Sequence, residues 1–328
     1  MIAVLFWLYR DLDAESFVMA LKMANPFWLS ILAFTILFEQ YLRGWKWRQI
    51  LYDLKPVSSV RLCGAILAGY GAAILVPLGI SPLVRSWLIA RLENLRMASV
   101  LTTSAIERFI DGVVFALIAG VVAYAGWIPD IEGDVRTGIA VAGAINFVVF
   151  SALLWILFFG RSPLSHDDVL ISRVIDWVSA KGRGRLDGMR DAIRTGIIWP
   201  KSGIRQGGVI LAAFLMKAVA ATHFLWAGLS VGVIIGLADY LFVMVFAGFA
   251  MVMGRFIRIP GGFVLGSGFA FSQLGVADEQ ALAMIVLNYV FTIVLMVGVG
   301  LLFFWRSGID IRAANLAGAK ADDATRAP

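Results

Sequence analysis

The chain has a single cysteine, Cys63, and two histidines, His166 and His223, in 328 residues. One cysteine excludes an intrachain disulfide and a cysteine-based metal cluster. Two histidines leave no His-rich metal site, and neither a metal nor another cofactor is expected. Charge is scarce too, at 15% Asp, Glu, Lys and Arg, against about 25% in an ordinary soluble domain. The sequence holds no G-x-x-x-x-G-K-[ST] loop, no H-E-x-x-H and no G-x-S-x-G. Those gaps exclude ATP-driven pumping within this chain and the common hydrolase mechanisms.

What is abundant is apolar surface: 60% of residues are hydrophobic and the mean hydropathy is +0.86. A soluble sphere of this size cannot hide so much, so the surplus faces lipid. Seven stretches approach or exceed the roughly 20 residues that cross a bilayer. The composition predicts an all-α polytopic membrane protein and excludes a secreted enzyme, a cytosolic nucleotide-binding enzyme and a DNA-binding domain. A net charge of +6 and a pI near 9.6 would suit nucleic acid. Here the Lys and Arg excess follows the positive-inside rule, and no nucleic-acid partner is expected.

Ile2 to Tyr9 is too short to span and lacks a signal peptide's basic start and cleavage site. Residues 1–26 are therefore expected to be an interfacial segment. Residues 27–43 form the first span, ending in Tyr41, Arg43, Trp45, Lys46, Trp47 and Arg48, a cluster suited to the inner headgroup level. Residues 62–80 are apolar and break at Pro77, Gly79 and Pro82. The stretch that follows, with Arg85, Arg91, Glu93 and Arg96, is too polar to face lipid. Residues 109–127 lead to the acidic loop of Asp130, Glu132 and Asp134, read as outside, and residues 137–160 return. The loop 161–206 carries nine Lys or Arg against five Asp and reads as cytoplasmic. Its apolar spacing suits either two amphipathic helices on the inner membrane surface or a small solvated hairpin.

Residues 207–229 and 230–254 are two more spans. Gly228, Gly232 and Gly236, four apart, predict close helix packing. After Pro260-Gly261-Gly262 comes another broken apolar stretch to Leu274, then a last span at 279–305. One transmembrane domain, 27–305, is thus expected, followed by a polar, Ala-rich tail, 306–328, of disordered composition.

The chain reads as inside near Arg48 and again near Arg96, so the number of full crossings between them is even. A re-entrant hairpin entering and leaving on the cytoplasmic side fits. Irregular backbone at membrane depth is tolerated only inside protein or beside a wet cavity. The segment after Pro260 repeats the design, and such paired breaks point to a transporter binding site. Six to eight membrane segments are expected, two of them Gly/Pro-broken re-entrant hairpins in a pseudo-repeat. The repeat places the C-terminus outside, whereas its basic excess places it inside.

The run Pro77 to Arg85, followed by Ser104-Ala105-Ile106-Glu107-Arg108-Phe109-Ile110-Asp111, resembles the membrane region of lysylphosphatidylglycerol synthetases and their stand-alone flippase-like relatives. Pro260-Gly261-Gly262, Leu274-Gly275-Val276, Ala281-Leu282-Ala283 and the Arg43 to Leu51 segment also fit, so the resemblance covers about residues 27–305. It implies the lipid-translocating half, without the soluble aminoacyl-transferase domain, and no enzyme activity. Three departures stand out. Ser81-Pro82 replaces a Gly-Glu, Ser267 replaces an acidic residue after Pro-Gly-Gly, and Asn288-Tyr289 stands where the last helix usually has an Arg. Both hairpins have lost their carboxylate.

Ionisable groups at the centre of a membrane helix cost at least ~2.5–3.5 kcal/mol each, so they are functional candidates. Glu107, Arg108 and Asp111 fall within about one turn, with Ser104 four before Arg108. The two acids share a face, and the spacing lets Arg108 pair with Asp111. The cluster is either a polar floor that binds a headgroup or an ion-pair staple for the hairpin. Arg85 suits phosphate recognition, with snorkelling as the alternative. Pro77, Gly79, Ser81, Pro82, Pro260, Gly261, Gly262 and Ser267 are candidate cavity-lining breaks. Lys217, His223 and Asp239 are candidates for a proton relay or for plain interhelical contacts.

The leading functional expectation is a bacterial-type inner-membrane protein that moves an anionic phospholipid or polyprenyl-linked glycolipid between leaflets. Its partners would be membrane lipids and lipid-biosynthesis enzymes. The alternatives are a non-transporting accessory subunit of a lipid or glycolipid biosynthesis complex and a membrane-embedded transferase on lipid-linked substrates.

Overall fold

The computed structural model describes residues 13–75, 81–125, 133–159, 199–256 and 261–307. Pro77, Gly79, Pro260, most of the acidic loop, the loop from 160 to 198 and the tail past 307 lie outside the described residues. Among the described residues the structure is all helical: α1 (Ala14–Lys22), α2 (Pro26–Leu51), α3 (Ser59–Leu75), α4 (Ser81–Glu93), α5 (Met97–Tyr124), α6 (Asp134–Phe159), α7 (Gly203–Ser230), α8 (Leu237–Phe256), α9 (Gly262–Gln273) and α10 (Asp278–Arg306). The all-α polytopic membrane fold expected from composition is the one observed.

By length and hydropathy α6, α7, α8 and α10 each qualify to cross a membrane, and α1 with α2, bent by 81°, makes a fifth candidate. The 28-residue α5 is equally long. It differs from them in carrying three charged residues, Glu107, Arg108 and Asp111, in its middle. At ~1.5 Å per residue it still runs about 42 Å, enough to cross.

Contacts fix the order of the ends. Glu93, at the end of α4, pairs with Lys55 at 2.9 Å and with Arg61, at the start of α3. The α3–α4 hairpin therefore leaves on the side it entered, as expected of a re-entrant element. Pro82 sits in the first turn of α4, where its missing N–H breaks no helical bond. It opens the returning arm rather than breaking it. In the second half α9 folds back along α8: Gly262 packs on the Ala250 carbonyl, Gly266 on Ala247, and Phe269 stacks on Phe246. This hairpin opens at the opposite end of the molecule, where Val233, Val276 and Ala281 share one apolar cluster.

Long α2, hairpin α3–α4 and long α5 thus correspond to long α7, hairpin α8–α9 and long α10, with the direction reversed. Five crossings and two hairpins result. α10 packs antiparallel on α3, Gly300 against Leu67 and Phe303 against Gly64. Its C-terminal end, Phe303 and Phe304, joins the cluster of Trp47, Leu51 and Leu88. The described chain therefore ends on the basic side, beside Lys55 and Arg61, and the positive-inside rule makes that side cytoplasmic. The inversion supplies what a direct repeat does not: an odd number of crossings between the two hairpins.

Two expectations are corrected. Gly228, Gly232 and Gly236 do not form one packing stripe. Only Gly228 is helical and closely packed, against Tyr240 and Met284; Gly232 turns the chain at φ +79°, and the Gly236 amide donates to Asp239 at 2.8 Å. The four-residue spacing spans a helix end, so it cannot lie along one helical face. Residues 41–48 are likewise not all at the headgroups. α2 continues to Leu51, and Lys46 and Trp47 are fully buried.

Candidate functional site

The site is a layer of charge between two apolar cores. On α2, Ile36 belongs to one core and Trp47 to another; Glu39, Arg43 and Lys46 lie between them. Their spacing, i, i+4 and i+7, puts all three on one face. On α5, Ser104, Glu107 and Asp111 repeat at i, i+3 and i+7. From the re-entrant arm comes Arg85.

Arg85 Nη2 lies 2.7 Å from Glu107 Oε2 and donates to the Ser104 carbonyl at 3.2 Å. Its guanidinium also sits 4.9 Å from the ring centroid of Trp47, whose indole N–H donates to Thr103 Oγ1 at 3.0 Å. Lys46 Nζ lies 3.3 Å from Glu107 Oε1 and donates to Asp111 Oδ1. Arg43 Nη1 is 3.7 Å from Asp111 Oδ2, and Arg43 Nη2 donates to Glu39 Oε1 at 2.9 Å. The result is one unbroken chain of ion pairs, Glu39–Arg43–Asp111–Lys46–Glu107–Arg85. It ties α2, α4 and α5 together.

The expected face shared by Glu107 and Asp111 is present, since both meet Lys46. The expected pair of Arg108 with Asp111 is not, because Arg43 and Lys46 of α2 already hold that carboxylate. Arg108 stays half-buried, within electrostatic reach of Tyr70, Arg85, Glu107 and Arg43, and makes no ion pair with any described residue. Arg85 does not snorkel to the headgroups. It is buried, 1% exposed, and faces inward.

Lys217 of α7 joins the layer from the other side. Its ammonium is 5.3 Å from the Phe115 ring centroid and within reach of Asp111, Arg43, Glu39 and Lys46. It too has no ion pair among the described residues. His223 is buried with Nε2 unpaired among the described residues, and it interacts with the same Glu39. Asp239 is elsewhere: it accepts from the Gly236 amide at the outer start of α8. The three candidates for a proton relay are thus not brought together.

Arg85 Nε and the hydroxyls of Ser81, Ser86 and Ser104 are buried without a hydrogen-bond partner among the described protein groups. Neither Glu107 oxygen meets hydrogen-bond geometry despite its two close cations. Each unmet buried group costs roughly 1–3 kcal/mol, and such groups gather where a polar ligand or water is received. Ser81 and Arg85 lie one turn apart on α4, and the Ser81 carbonyl packs on Gly69 of α3.

The second break contributes differently. Gly261 caps α9 at φ +87°, and a Cβ on Gly262 would collide with the Ala250 carbonyl. Ser267 is buried with its hydroxyl unpaired among the described residues. Its helix packs on α8 and α10, whereas α4 packs on α3 and α5. The two breaks thus lie in different helix pairs.

A family model described as the lysylphosphatidylglycerol synthase TM region matches residues 1–306. The chain belongs to that family. Comparison with curated proteins and with solved structures gave no match. In this lysylphosphatidylglycerol synthase TM region the Ser104 to Asp111 motif supplies two of the layer's three acids, Glu107 and Asp111. Leu274-Gly275-Val276 stops α9, the Val276 amide donating back to the Phe271 carbonyl at 3.1 Å, the return bond of a helix C-cap. Membership makes this a membrane protein of lipid-related function.

The sequence reading missed Glu39, Arg43 and Lys46 as site residues. The signal was available. Three charged residues at i, i+4 and i+7 belong on one face, but the surrounding Trp and Tyr residues drew the segment to the headgroups.

Proposed function

We propose that this protein moves an anionic, phosphate-bearing lipid, a phospholipid or a polyprenyl-linked glycolipid, between the leaflets of the inner membrane. One observation carries the reading. The buried layer holds five cations, Arg43, Lys46, Arg85, Arg108 and Lys217, against three carboxylates, Glu39, Glu107 and Asp111. The carboxylates are consumed by Arg43, Lys46 and Arg85. Two positive charges remain at membrane depth, where an isolated charge is costly. A phosphate would satisfy both electrostatically, and the unused Ser81, Ser86, Ser104 and Arg85 Nε groups would take headgroup hydroxyls and phosphate oxygens. Glu107 and Asp111 then hold the cationic frame in place.

Reconstitution into vesicles with a headgroup-labelled anionic lipid tests this. Wild-type protein should equilibrate the label across the bilayer, and Arg108→Gln with Lys217→Gln should abolish that without unfolding the protein. Equal rates for protein-free and wild-type vesicles, across phospholipid and polyprenyl substrates, would sink the transport reading. A second reading, a non-transporting accessory subunit that scaffolds lipid-biosynthesis enzymes, draws on the internal pairing of all three carboxylates. It would then take precedence.

A further inference from the structure

The turn between α4 and α5 borders a pocket of about 480 Å³ at the cytoplasmic end of the re-entrant hairpin. Trp87 and Arg91 of α4, Asn94 and Arg96 of the turn, and Met97 of α5 are among its lining residues. The local sequence builds it. Asn94 takes the left-handed conformation, φ +53°, and the Leu95 amide donates back to the Ala90 carbonyl at 2.9 Å. That is the return bond of a helix C-cap. It turns the chain so that Arg91, before the turn, and Arg96, after it, border one cavity.

Both guanidiniums are unengaged. An arginine in the last turn of a helix ordinarily answers the free carbonyls there. Here the Ala90 carbonyl is taken by Leu95, and the Glu93 carbonyl by Lys55 Nζ at 2.9 Å. The Glu93 carboxylate is held by Lys55 and Arg61. Arg91 and Arg96 are exposed and make no ion pair with any described residue. Four cations thus surround one carboxylate. Arg96 is also the N-cap of α5 and supplies no side-chain acceptor, so the first amides of that helix favour an anion as well.

Depth decides which anion reaches the pocket. α4 starts beside the buried layer and ends where Lys55 and Arg61 mark the cytoplasmic face. Its outward face runs Leu83, 47% exposed, then Trp87, then Arg91, at i, i+4 and i+8. Aliphatic, indole and guanidinium follow the order of hydrocarbon, interface and headgroup in the inner leaflet. Arg85 faces the other way, toward Glu107, so the pocket is separate from the buried layer.

We propose that this pocket binds the phosphate of an inner-leaflet anionic phospholipid between Arg91 and Arg96, with an acyl chain along Trp87 and Leu83. Basic pockets at the cytoplasmic ends of membrane helices take anionic headgroups, and guanidiniums match phosphate oxygens in geometry as well as charge. A lipid seated there ties the end of the hairpin to the start of α5. The assignment does not depend on transport, since none of its residues belongs to the buried layer.

The test is photo-cross-linking in phosphatidylcholine vesicles doped with a phosphatidylglycerol that carries a diazirine near the top of its acyl chain. Adducts should concentrate on the peptide containing Leu83 to Met97. Arg91→Gln and Arg96→Gln should each weaken that labelling roughly tenfold at low probe, the worth of one charge-assisted hydrogen bond. Both side chains are exposed, so neither change burdens folding. On wild-type protein, a phosphatidylcholine carrying the same diazirine should label this peptide far less, and millimolar inorganic phosphate should not displace the phosphatidylglycerol. Displacement by inorganic phosphate would make this a free-phosphate site and overturn the lipid assignment. Equal labelling by the two lipids, or labelling indifferent to both arginines, would overturn the site itself. Arg108→Gln with Lys217→Gln should leave the adducts in place. Their loss in that variant would put the lipid in the buried layer instead. Adducts without translocation in the same vesicles refute transport and leave this site standing.

Discussion

Arg85 of the re-entrant arm and Glu107 of the crossing helix α5 form an ion pair 2.7 Å long, their side chains 1% and 0% exposed. The hairpin is thereby fastened to the bundle by charge about one turn into its returning arm. Burial also changes what Arg85 can report. A side chain that holds the fold cannot be removed to probe function alone.

Arg85→Ala and Glu107→Gln should each lower stability by about 3–5 kcal/mol, since the first leaves buried Glu107 with Lys46 alone and the second leaves buried Arg85 with no ion-pair partner among the described residues. The double variant should lose less than the sum, by a coupling of roughly 0.5–3 kcal/mol. Thermal unfolding of all four proteins in detergent measures this. Strict additivity would show that the two groups do not act as a pair.

Lys46→Met should be among the most damaging single changes in the layer, because among the described residues Lys46 alone bridges both Glu107 and Asp111. A loss of about 3–5 kcal/mol or failure to fold is expected. If its melting temperature matched wild type, the layer would not be a structural unit.

Arg108→Gln separates function from scaffold. Arg108 is half-buried and makes no ion pair with any described residue, so its loss should change stability by no more than about 0.5 kcal/mol. Translocation, by contrast, should fall roughly tenfold. A variant that transports at the wild-type rate would remove Arg108 from the site.

Gly44→Ala and Gly300→Ala test the helix crossings on either side of α3. A Cβ at Gly44 would stand 2.7 Å from the Ser59 carbonyl oxygen, and one at Gly300 would stand 2.5 Å from that of Leu67. Both obstacles are backbone, which cannot rotate aside. Each variant should cost about 1–3 kcal/mol through overpacking, whereas Gly298→Ala, with nothing within 4 Å, should be silent.

Topology can be read with single cysteines in a Cys63→Ala background. Positions 55, 202 and 307 should react only from the cytoplasmic side, and 133, 232 and 275 only from the outside. Labelling of 307 from outside in intact cells would contradict the antiparallel seat of α10 on α3.

Much of this protein was legible in its residues. Hydropathy marked the membrane segments, because lipid exposure is a property each helix declares alone. The paired Gly/Pro breaks announced two hairpins, and the Glu107-Arg108-Asp111 motif announced charge at depth and the family. What composition and spacing left open is which charge meets which. Asp111 lies three residues after Arg108, yet it pairs with Lys46 and Arg43, brought from α2 by helix packing that local spacing does not encode. The direction of the second hairpin was equally hidden, since an inverted repeat and a direct one share the same local pattern. Only the packing of α10 on α3 decided it, and with it the side on which the described chain ends. Periodicity assigns a side chain to a face; the partner on that face belongs to another helix, and only the assembled bundle chooses it.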